Sequence, residues 1–275
     1  MHIRQYIVTY NNPFQLNEGL ASLFANTSDE ERSLLEVFVI NNHSSFELRP
    51  EFESRVTVLH NVLRPDFSTG HLARNWNQAL INGFGNLLNP ACDIVITNQD
   101  DTRFSSNYIN QVIELHTRFD LIQFGWGDNF ISYTPTAVKV VGLWDERFCS
   151  IGYQEADYLL RAMIFLKDRA SINDPSHRRL HNTQTQSPIQ VIASGINRGE
   201  DYTKAATEYH SYNRALFLQK WGFDPDPGMS EPFDALRPLI PAYILYPYFE
   251  KHILTLEQQN YFRGGSGALG LPGIL

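Results

Sequence analysis

The chain contains 275 residues and carries a formal net charge of −8, because its 30 acidic residues outnumber its 22 lysines and arginines. This balance argues against nucleic acid as a partner, since binding to phosphate backbones needs a basic surface. An apolar content of 43% is sufficient for a full hydrophobic core and argues against global disorder. Two cysteines in a chain of this length do not make a disulfide framework, which favours a reducing compartment.

The first residues and the apolar stretches of the sequence indicate where in the cell the protein is expected. The first residues enter a predicted strand directly, without the pattern of a secretory signal. No stretch reaches the ~18 apolar residues that a membrane span requires. The sequence therefore predicts a cytoplasmic protein. An aromatic and aliphatic stretch at residues 238–253 could pack on the core, form a homodimer contact or make peripheral contact with the inner membrane surface.

Strands and helices alternate along the first hundred residues. Short apolar runs predict four strands, at residues 6–10, 37–40, 55–59 and 93–97. Apolar residues at helical spacing predict one helix around residues 16–24 and another around residues 72–80. This order predicts an α/β fold with a mainly parallel sheet that is flanked by helices on both faces.

The pattern is less regular towards the C-terminus. Residues 190–193 could form a strand, residues 202–221 have a helical pattern, and a Gly-rich tail from residue 264 is expected to be flexible. We therefore predict one domain over residues 1–200. Residues 201–275 are expected to form a helical or irregular extension that packs on the same domain.

The ends of the first two predicted strands carry clusters of hydrogen-bonding side chains, namely Thr9, Tyr10, Asn11, Asn41 and Asn42. These side chains can hydrogen-bond a nucleotide base and ribose, although Asn-rich segments are also common turn formers. The sequence contains neither a G-x-G-x-x-G motif nor a P-loop. It therefore predicts neither a nicotinamide cofactor nor ATP hydrolysis.

A first acidic site follows the predicted strand at residues 93–97, where the apolar run stops at Asn98, Gln99, Asp100 and Asp101. The carboxyl ends of strands face the ligand crevice in α/β sheets. Oxygen ligands in that place suit Mg²⁺ or Mn²⁺, which usually also hold substrate phosphates. Alternatively, the two aspartates solvate a turn before a helix that begins near Ser105 or Ser106, but those serines can cap that helix themselves.

A second acidic site lies between residues 142 and 161. The apolar run at residues 137–141 predicts a strand that leads into it. Glu155 stands at the start of a predicted helix, where a carboxylate beside a strand edge can take a proton from a bound hydroxyl. Asp157 and Arg161 are four residues apart and can pair. The alternative is an ordinary capped helix with a surface ion pair.

Four blocks of these residues, within about residues 5–165, resemble GT-A-fold, family-2-like inverting glycosyltransferases in the same order. They lie at residues 7–11, 70–75, 97–101 and 142–161. The resemblance implies a GT-A (Rossmann-like) fold and Mn²⁺ or Mg²⁺ as cofactor. It also implies transfer of a sugar, with inversion, from a nucleotide-diphosphate sugar to a saccharide or lipid-linked acceptor.

The resemblance also implies roles for individual residues. Glu155 takes the position of the catalytic base. The metal ligands are expected among Asp100, Asn98, Asp101 and a later histidine, for which His181 and His177 are the candidates. The residues expected to contact substrate are Thr9, Tyr10, Asn11, Asn41, Asn42, Arg74, Asn75, Asn98, Gln99, Asp145, Asp157 and Trp221, the last in a segment that lies over the acceptor side in some of these transferases.

Three positions depart from the family pattern and keep other functions open. Asn41, Asn98 and Gln154 stand where the family often has carboxylates. A non-catalytic protein that binds nucleotide sugars or glycans on the same fold is therefore the second hypothesis. A sugar-1-phosphate nucleotidyltransferase ranks last, because residues 11–20 lack the Gly-rich, basic segment that class requires.

Overall fold

A computed structural model describes residues 1–61, 72–148, 152–173, 186–192, 209–217 and 220 of the chain. The described strands are β1 (Ile3–Thr9), β2 (Leu35–Asn41), β3 (Thr57–His60), β4 (Ile94–Gln99), β5 (Thr102–Phe104), β6 (Leu121–Phe124), β7 (Phe130–Tyr133), β8 (Ala170–Ile172) and β9 (Ile189–Val191). The described α-helices are α1 (Pro13–Ala25), α2 (Asp29–Ser33), α3 (Pro50–Glu53), α4 (Leu72–Phe84), α5 (Tyr108–His116), α6 (Pro135–Val141) and α7 (Gln154–Leu166). Residues 209–217 are also helical.

Seven of these strands form one sheet in the order β3-β2-β1-β4-β7-β6-β8. The pairs β3–β2, β2–β1, β1–β4 and β6–β8 are parallel. The strand β7 is antiparallel to both of its neighbours, β4 and β6. A second sheet pairs β5 with β9. The predicted α/β architecture with a mainly parallel sheet is confirmed.

Two hydrophobic clusters place helices on both faces of the large sheet. One cluster contains Trp76 of α4 together with Tyr158 of α7. The other contains Leu16 and Leu20 of α1 with Ile109 of α5. Tyr6 belongs to the first cluster and Ile7 to the second, because successive residues of a strand point to opposite faces.

The predicted strand at residues 137–141 is wrong, because this segment is the helix α6. Its start is fixed by Thr134, whose hydroxyl accepts a hydrogen bond from the Ala137 N–H at 3.2 Å, and by Pro135 in the first turn. Ala137, Val138 and Val141 are the buried residues, which is a helical spacing. The β-branched residues favour a strand in this segment. The cap at Thr134 and the burial of residues at helical spacing favour a helix instead.

The helix predicted to begin at Ser105 or Ser106 begins later, at Tyr108. Its N-cap residue is Asn107 in a left-handed conformation, and no side-chain hydrogen bond caps it. The Ser105 hydroxyl instead donates to the carbonyl oxygen of Pro188 at 2.8 Å. The strand β5 precedes this helix, so the acidic residues after β4 lie between two strands.

The C-terminal half is described in part. The strand predicted at residues 190–193 corresponds to β9, and the helical residues 209–217 lie within the predicted helical stretch 202–221. The stretch at residues 238–253 and the Gly-rich tail lie outside the described residues, so the expectations for them stay predictions. The described part of the chain contains no helix whose length and apolarity would let it cross a bilayer.

Candidate active site

The polar residues at the strand ends lie along one edge of the large sheet. Parallel pairing aligns Thr9 of β1 with Asn41 of β2, and Asn41 with His60 of β3. On the other side of β1, Val8 is aligned with Gln99 of β4. The two strand-end clusters and the first acidic site, which are far apart in sequence, therefore lie next to one another.

Asp100 is fixed at this edge by neighbours from β1 and from the turn after it. Its Oδ2 accepts a hydrogen bond from the Thr9 hydroxyl at 2.7 Å, and its Oδ1 accepts one from the Asn12 amide at 3.3 Å. The helix α1 also approaches closely, because a Cβ atom at Gly19 would lie only 3.0 Å from the Asp100 carbonyl oxygen. The carboxylate is thus held in one orientation.

The acidic turn provides only part of the ligand set that a divalent cation needs. Asn98 is engaged elsewhere, since its Oδ1 accepts a hydrogen bond at 2.9 Å from Gln5, which in turn accepts one from Tyr108. No group of three or more His, Cys, Asp or Glu side chains in the described part of the chain could hold a metal ion by itself. One carboxylate such as Asp100 is nevertheless sufficient where substrate phosphates supply other ligands of Mg²⁺. His181 lies outside the described residues.

A cluster of amides connects the end of β2 to α4. The Asn61 Nδ2 lies 3.3 Å from the Oδ1 of Asn42, 3.3 Å from the Oδ1 of Asn75 and 2.8 Å from the Oε1 of Gln78. Asn42, Asn61 and Asn75 are all buried. Two of the predicted substrate contacts are therefore brought together by Asn61, which the sequence analysis did not single out.

The other predicted substrate contacts at the strand ends, Asn41, Tyr10 and Asn11, take part in local turns and contacts. The Asn41 Oδ1 accepts a hydrogen bond from the backbone N–H of His43, and its Nδ2 lies 3.0 Å from the Nδ1 of His60. Tyr10 contacts the His43 ring edge-on, and Asn11 has a left-handed backbone with φ of 49°. The turn-forming alternative describes Asn41 and Asn11 well, and their contact with a nucleotide stays a prediction.

Arg74 of α4 is positioned by a carboxylate from the second acidic site. Its Nε donates to the Glu146 Oε2 at 3.2 Å, and the side chain is 33% exposed. The Asn77 amide donates to the other Glu146 oxygen at 2.9 Å. Glu146 thus orients the Arg74 side chain, which remains partly exposed.

Glu155 lies in the first turn of α7, as predicted, and is half-buried. Its carboxylate therefore lies near the positive end of the helix dipole. Its side chain contacts the loop between β6 and β7, because a Cβ atom added at Gly127 would lie 3.0 Å from the Glu155 Cγ. A carboxylate in this place can act as a base towards a ligand at the helix start.

Asp128 is a central residue that the sequence analysis missed. Its carboxylate accepts hydrogen bonds from the Trp76 indole at 2.7 Å, the Gln99 amide at 2.7 Å and the Gln154 amide at 3.2 Å. Burial raises the pKa of Asp128, and these hydrogen bonds oppose that rise. Gln99 directly precedes Asp100, and Gln154 directly precedes Glu155, so Asp128 joins the two acidic sites.

Asp145 and Asp157 are held by cations in a buried network. The Lys220 Nζ lies 2.8 Å from both carboxylates, and the Arg161 Nε lies 3.1 Å from Asp157. Burial alone would raise the pKa of Asp145, but Lys220 and Arg147 hold that pKa well below its usual range. The predicted pairing of Asp157 with Arg161 is present, but the pair is fully buried and not on the surface. Trp221 lies outside the described residues.

Comparisons with known proteins identify the fold. No family model and no curated protein matches the chain. Among solved structures, GalNAc-T7 with UDP, GalNAc and Mn²⁺ matches with a TM-score of 0.50 at 11% identity, over 92% of this chain and 54% of that one. This chain has a GT-A-like fold. It spans about half the length of the GalNAc-T7 chain that it matches.

Two further structures match the GT-A-like chain with lower scores. TarS from S. aureus matches with a TM-score of 0.47 at 12% identity, over 96% of this chain and 56% of that one. The mannosyltransferase PcManGT from Pyrobaculum calidifontis, in complex with GDP-Man and Mn²⁺, matches with a TM-score of 0.45 at 14% identity, over 95% of this chain and 87% of that one.

The position of Asp128 in this GT-A-like chain leads to a stability prediction. Replacing Asp128 with asparagine turns one acceptor oxygen into a donor, which then faces the amide and indole donors of its neighbours. We expect the free energy of unfolding to fall by about 1–3 kcal/mol, the cost of leaving buried polar groups unsatisfied. Urea denaturation measures this change. The exposed Asp168→Asn variant is the control, and equal stability of the two variants would contradict the role of Asp128.

Proposed function

We propose that the chain is a glycosyltransferase that moves a sugar from a nucleotide-diphosphate sugar to an acceptor hydroxyl. One observation carries the proposal: Asp128 binds both Gln99 and Gln154, the residues that directly precede the candidate phosphate-side carboxylate, Asp100, and the candidate base, Glu155. A reaction that separates a diphosphate from a sugar while an acceptor loses a proton needs this pair of groups. The GT-A-like fold is consistent with it.

On the donor side, the edge formed by Thr9, Asn41 and Asn42 would receive the base and ribose. Asp100, with Asp101 beside it, would hold a divalent cation together with the diphosphate. Such a cation supplies positive charge that stabilises the leaving group. Arg74 would add a further positive charge. GalNAc-T7, whose structure contains UDP and Mn²⁺, lends support to this assignment.

On the acceptor side, Glu155 would remove the proton from the attacking hydroxyl. The acceptor oxygen forms a bond to the anomeric carbon while the bond from that carbon to the diphosphate breaks. The proton moves to Glu155, and the nucleoside diphosphate leaves. We propose that attack occurs from the face opposite the diphosphate, so that a single displacement inverts the anomeric configuration. The acceptor would be a saccharide, either free or lipid-linked.

The second candidate is a binding protein that does not turn over its ligand. The uncharged residues Asn98 and Gln154, where the family often has carboxylates, favour it. Both side chains have partners within the protein, since Asn98 binds Gln5 and Gln154 binds Asp128. Their lack of charge is therefore compatible with a catalytic site as well. Turnover that depends on Glu155 separates the two candidates.

A thermal-shift panel tests the donor site. UDP-, GDP-, dTDP- and CMP-sugars are each added with Mn²⁺ and with EDTA. We expect one nucleotide to raise the Tm of the wild type only when Mn²⁺ is present, and we expect Asp100→Ala to lose this rise, because the variant lacks the carboxylate at the phosphate side. Asp93→Ala, at the opposite end of β4, is the control and should keep the rise.

Two results would contradict the proposal for the donor site. One is the absence of a shift with every nucleotide sugar in the panel. The other is a shift that survives in both EDTA and Asp100→Ala, because binding would then involve neither the cation nor the acidic turn.

A further inference from the structure

Trp126 is an exposed tryptophan in the loop between β6 and β7, whose Gly127 contacts the candidate base Glu155. Its side chain is 56% exposed, whereas Trp76 and Trp144 are completely buried. Water disfavours exposed aromatic surface, and large aromatic side chains usually contribute to cores or to interfaces. An exposed indole in the loop that contacts Glu155 is therefore a candidate ligand contact.

The backbone around Trp126 is fixed on both sides. The buried Gln123 amide donates to the carbonyl oxygens of Gly125 at 3.1 Å and Gly127 at 2.9 Å. The Asn129 N–H donates to the Trp126 carbonyl oxygen at 3.0 Å. The loop is thus held in one conformation, and it presents the indole without a large cost in conformational entropy on binding.

The two glycines beside Trp126 allow close contact with the rest of the site. Both have positive φ, 79° at Gly125 and 52° at Gly127, which favours glycine. A Cβ atom at Gly127 would lie 3.0 Å from the Glu155 Cγ, and one at Gly125 would lie 2.8 Å from a methyl group of Val191. The loop therefore packs against the start of α7, and Trp126 directly precedes the glycine that contacts Glu155.

We infer that Trp126 is a stacking platform for the sugar ring of a saccharide acceptor, an assignment that rests on the proposed function. One face of a pyranose ring is formed by C–H groups and can stack on an indole, while its hydroxyls remain free for Glu155. A lipid chain would need several neighbouring apolar side chains, whereas the residues on either side of Trp126 are glycines. The residues proposed to bind the nucleotide, Thr9, Asn41 and Asn42, lie at the ends of β1 and β2. Donor binding is therefore not expected to need Trp126.

Saccharide binding by the full chain tests this inference. An array of defined mono- to tetrasaccharides of glucose, galactose, their N-acetylamino derivatives, mannose and rhamnose is probed without donor. The proteins are the wild type, Trp126→Ala, Trp126→Phe and Leu88→Ala. Leu88 is 67% exposed in the loop after α4 and controls for the loss of exposed apolar surface. The thermal-shift panel of nucleotide sugars is repeated on each variant.

We expect the wild type to bind a subset of the saccharides and Trp126→Ala to lose up to about tenfold in affinity, which corresponds to the upper end of the free energy that aromatic contacts contribute in proteins. Trp126→Phe should retain part of the affinity, and Leu88→Ala should retain all of it. Equal binding by Trp126→Ala and the wild type would overturn the inference, as would a wild type that binds no saccharide in the array.

Donor binding should be unchanged in every variant. If Trp126-dependent saccharide binding is found without any donor binding, the proposed function fails, and Trp126 is a contact for a saccharide ligand that is not an acceptor.

Discussion

Glu155→Gln is expected to lower kcat for sugar transfer by about 100- to 10,000-fold, the contribution of a general base. The amide keeps the shape of the side chain but cannot accept the acceptor's proton. Donor affinity should be unchanged, because the phosphate-side groups around Asp100 are intact. Steady-state release of nucleoside diphosphate measures kcat, and the thermal shift with the donor measures binding.

The control for this variant is Glu114→Gln, which changes an exposed carboxylate on α5 and should leave kcat unchanged. Circular dichroism of both variants should match that of the wild type. If Glu155→Gln keeps more than about a tenth of the wild-type kcat, a group other than Glu155 takes the proton and its assignment as base is wrong.

Lys220→Met is expected to produce the largest loss of stability, about 3–5 kcal/mol in the free energy of unfolding. The Lys220 side chain is 1% exposed and lies between the carboxylates of Asp145 and Asp157. Methionine has a similar length but no charge, so two buried carboxylates would lose a shared cation. Urea denaturation at neutral pH measures the loss, with the exposed Lys139→Met on α6 as the control.

The destabilisation by Lys220→Met should depend on pH. The pKa of Asp145 is held below its usual range in the folded wild type. The stability from this ion pair is therefore present above the unfolded pKa of about 3.9 and is lost as the pH falls towards the folded pKa. The difference between the wild type and Lys220→Met should narrow below about pH 4. A difference that is small at neutral pH, or that widens in acid, would contradict the role of the network.

The sequence predicted those parts of the fold that depend on local patterns. Apolar runs located β1, β2 and β4, and the strand ends at Thr9, Asn41 and Gln99 lie together because parallel strands end at the same edge. Helix α6 shows the limit of this reasoning. Its β-branched residues favour a strand, but the cap at Thr134 and three-dimensional packing decide for a helix.

The partners of the site residues could not be predicted, because they are distant in sequence. Asp128 lies 52 residues from Trp76, and Lys220 lies 75 residues from Asp145. Neither contact produces a periodic pattern in the amino-acid sequence. The Gly125–Asp128 segment does contain a turn signal in its two glycines, which could have drawn attention to Trp126 and Asp128. Such a signal predicts a loop but not which side chains the loop will meet.

The most direct test of the account is a search for a transfer product. Wild type and Glu155→Gln are incubated with the donor that raises the Tm, a divalent cation and the saccharides bound on the array, and the products are analysed by mass spectrometry. We expect the wild type to yield an acceptor that is heavier by one sugar, together with free nucleotide, and we expect Glu155→Gln to yield neither while still binding the donor. Donor binding without any product from the wild type would contradict a transferase and favour a protein that only binds nucleotide sugars.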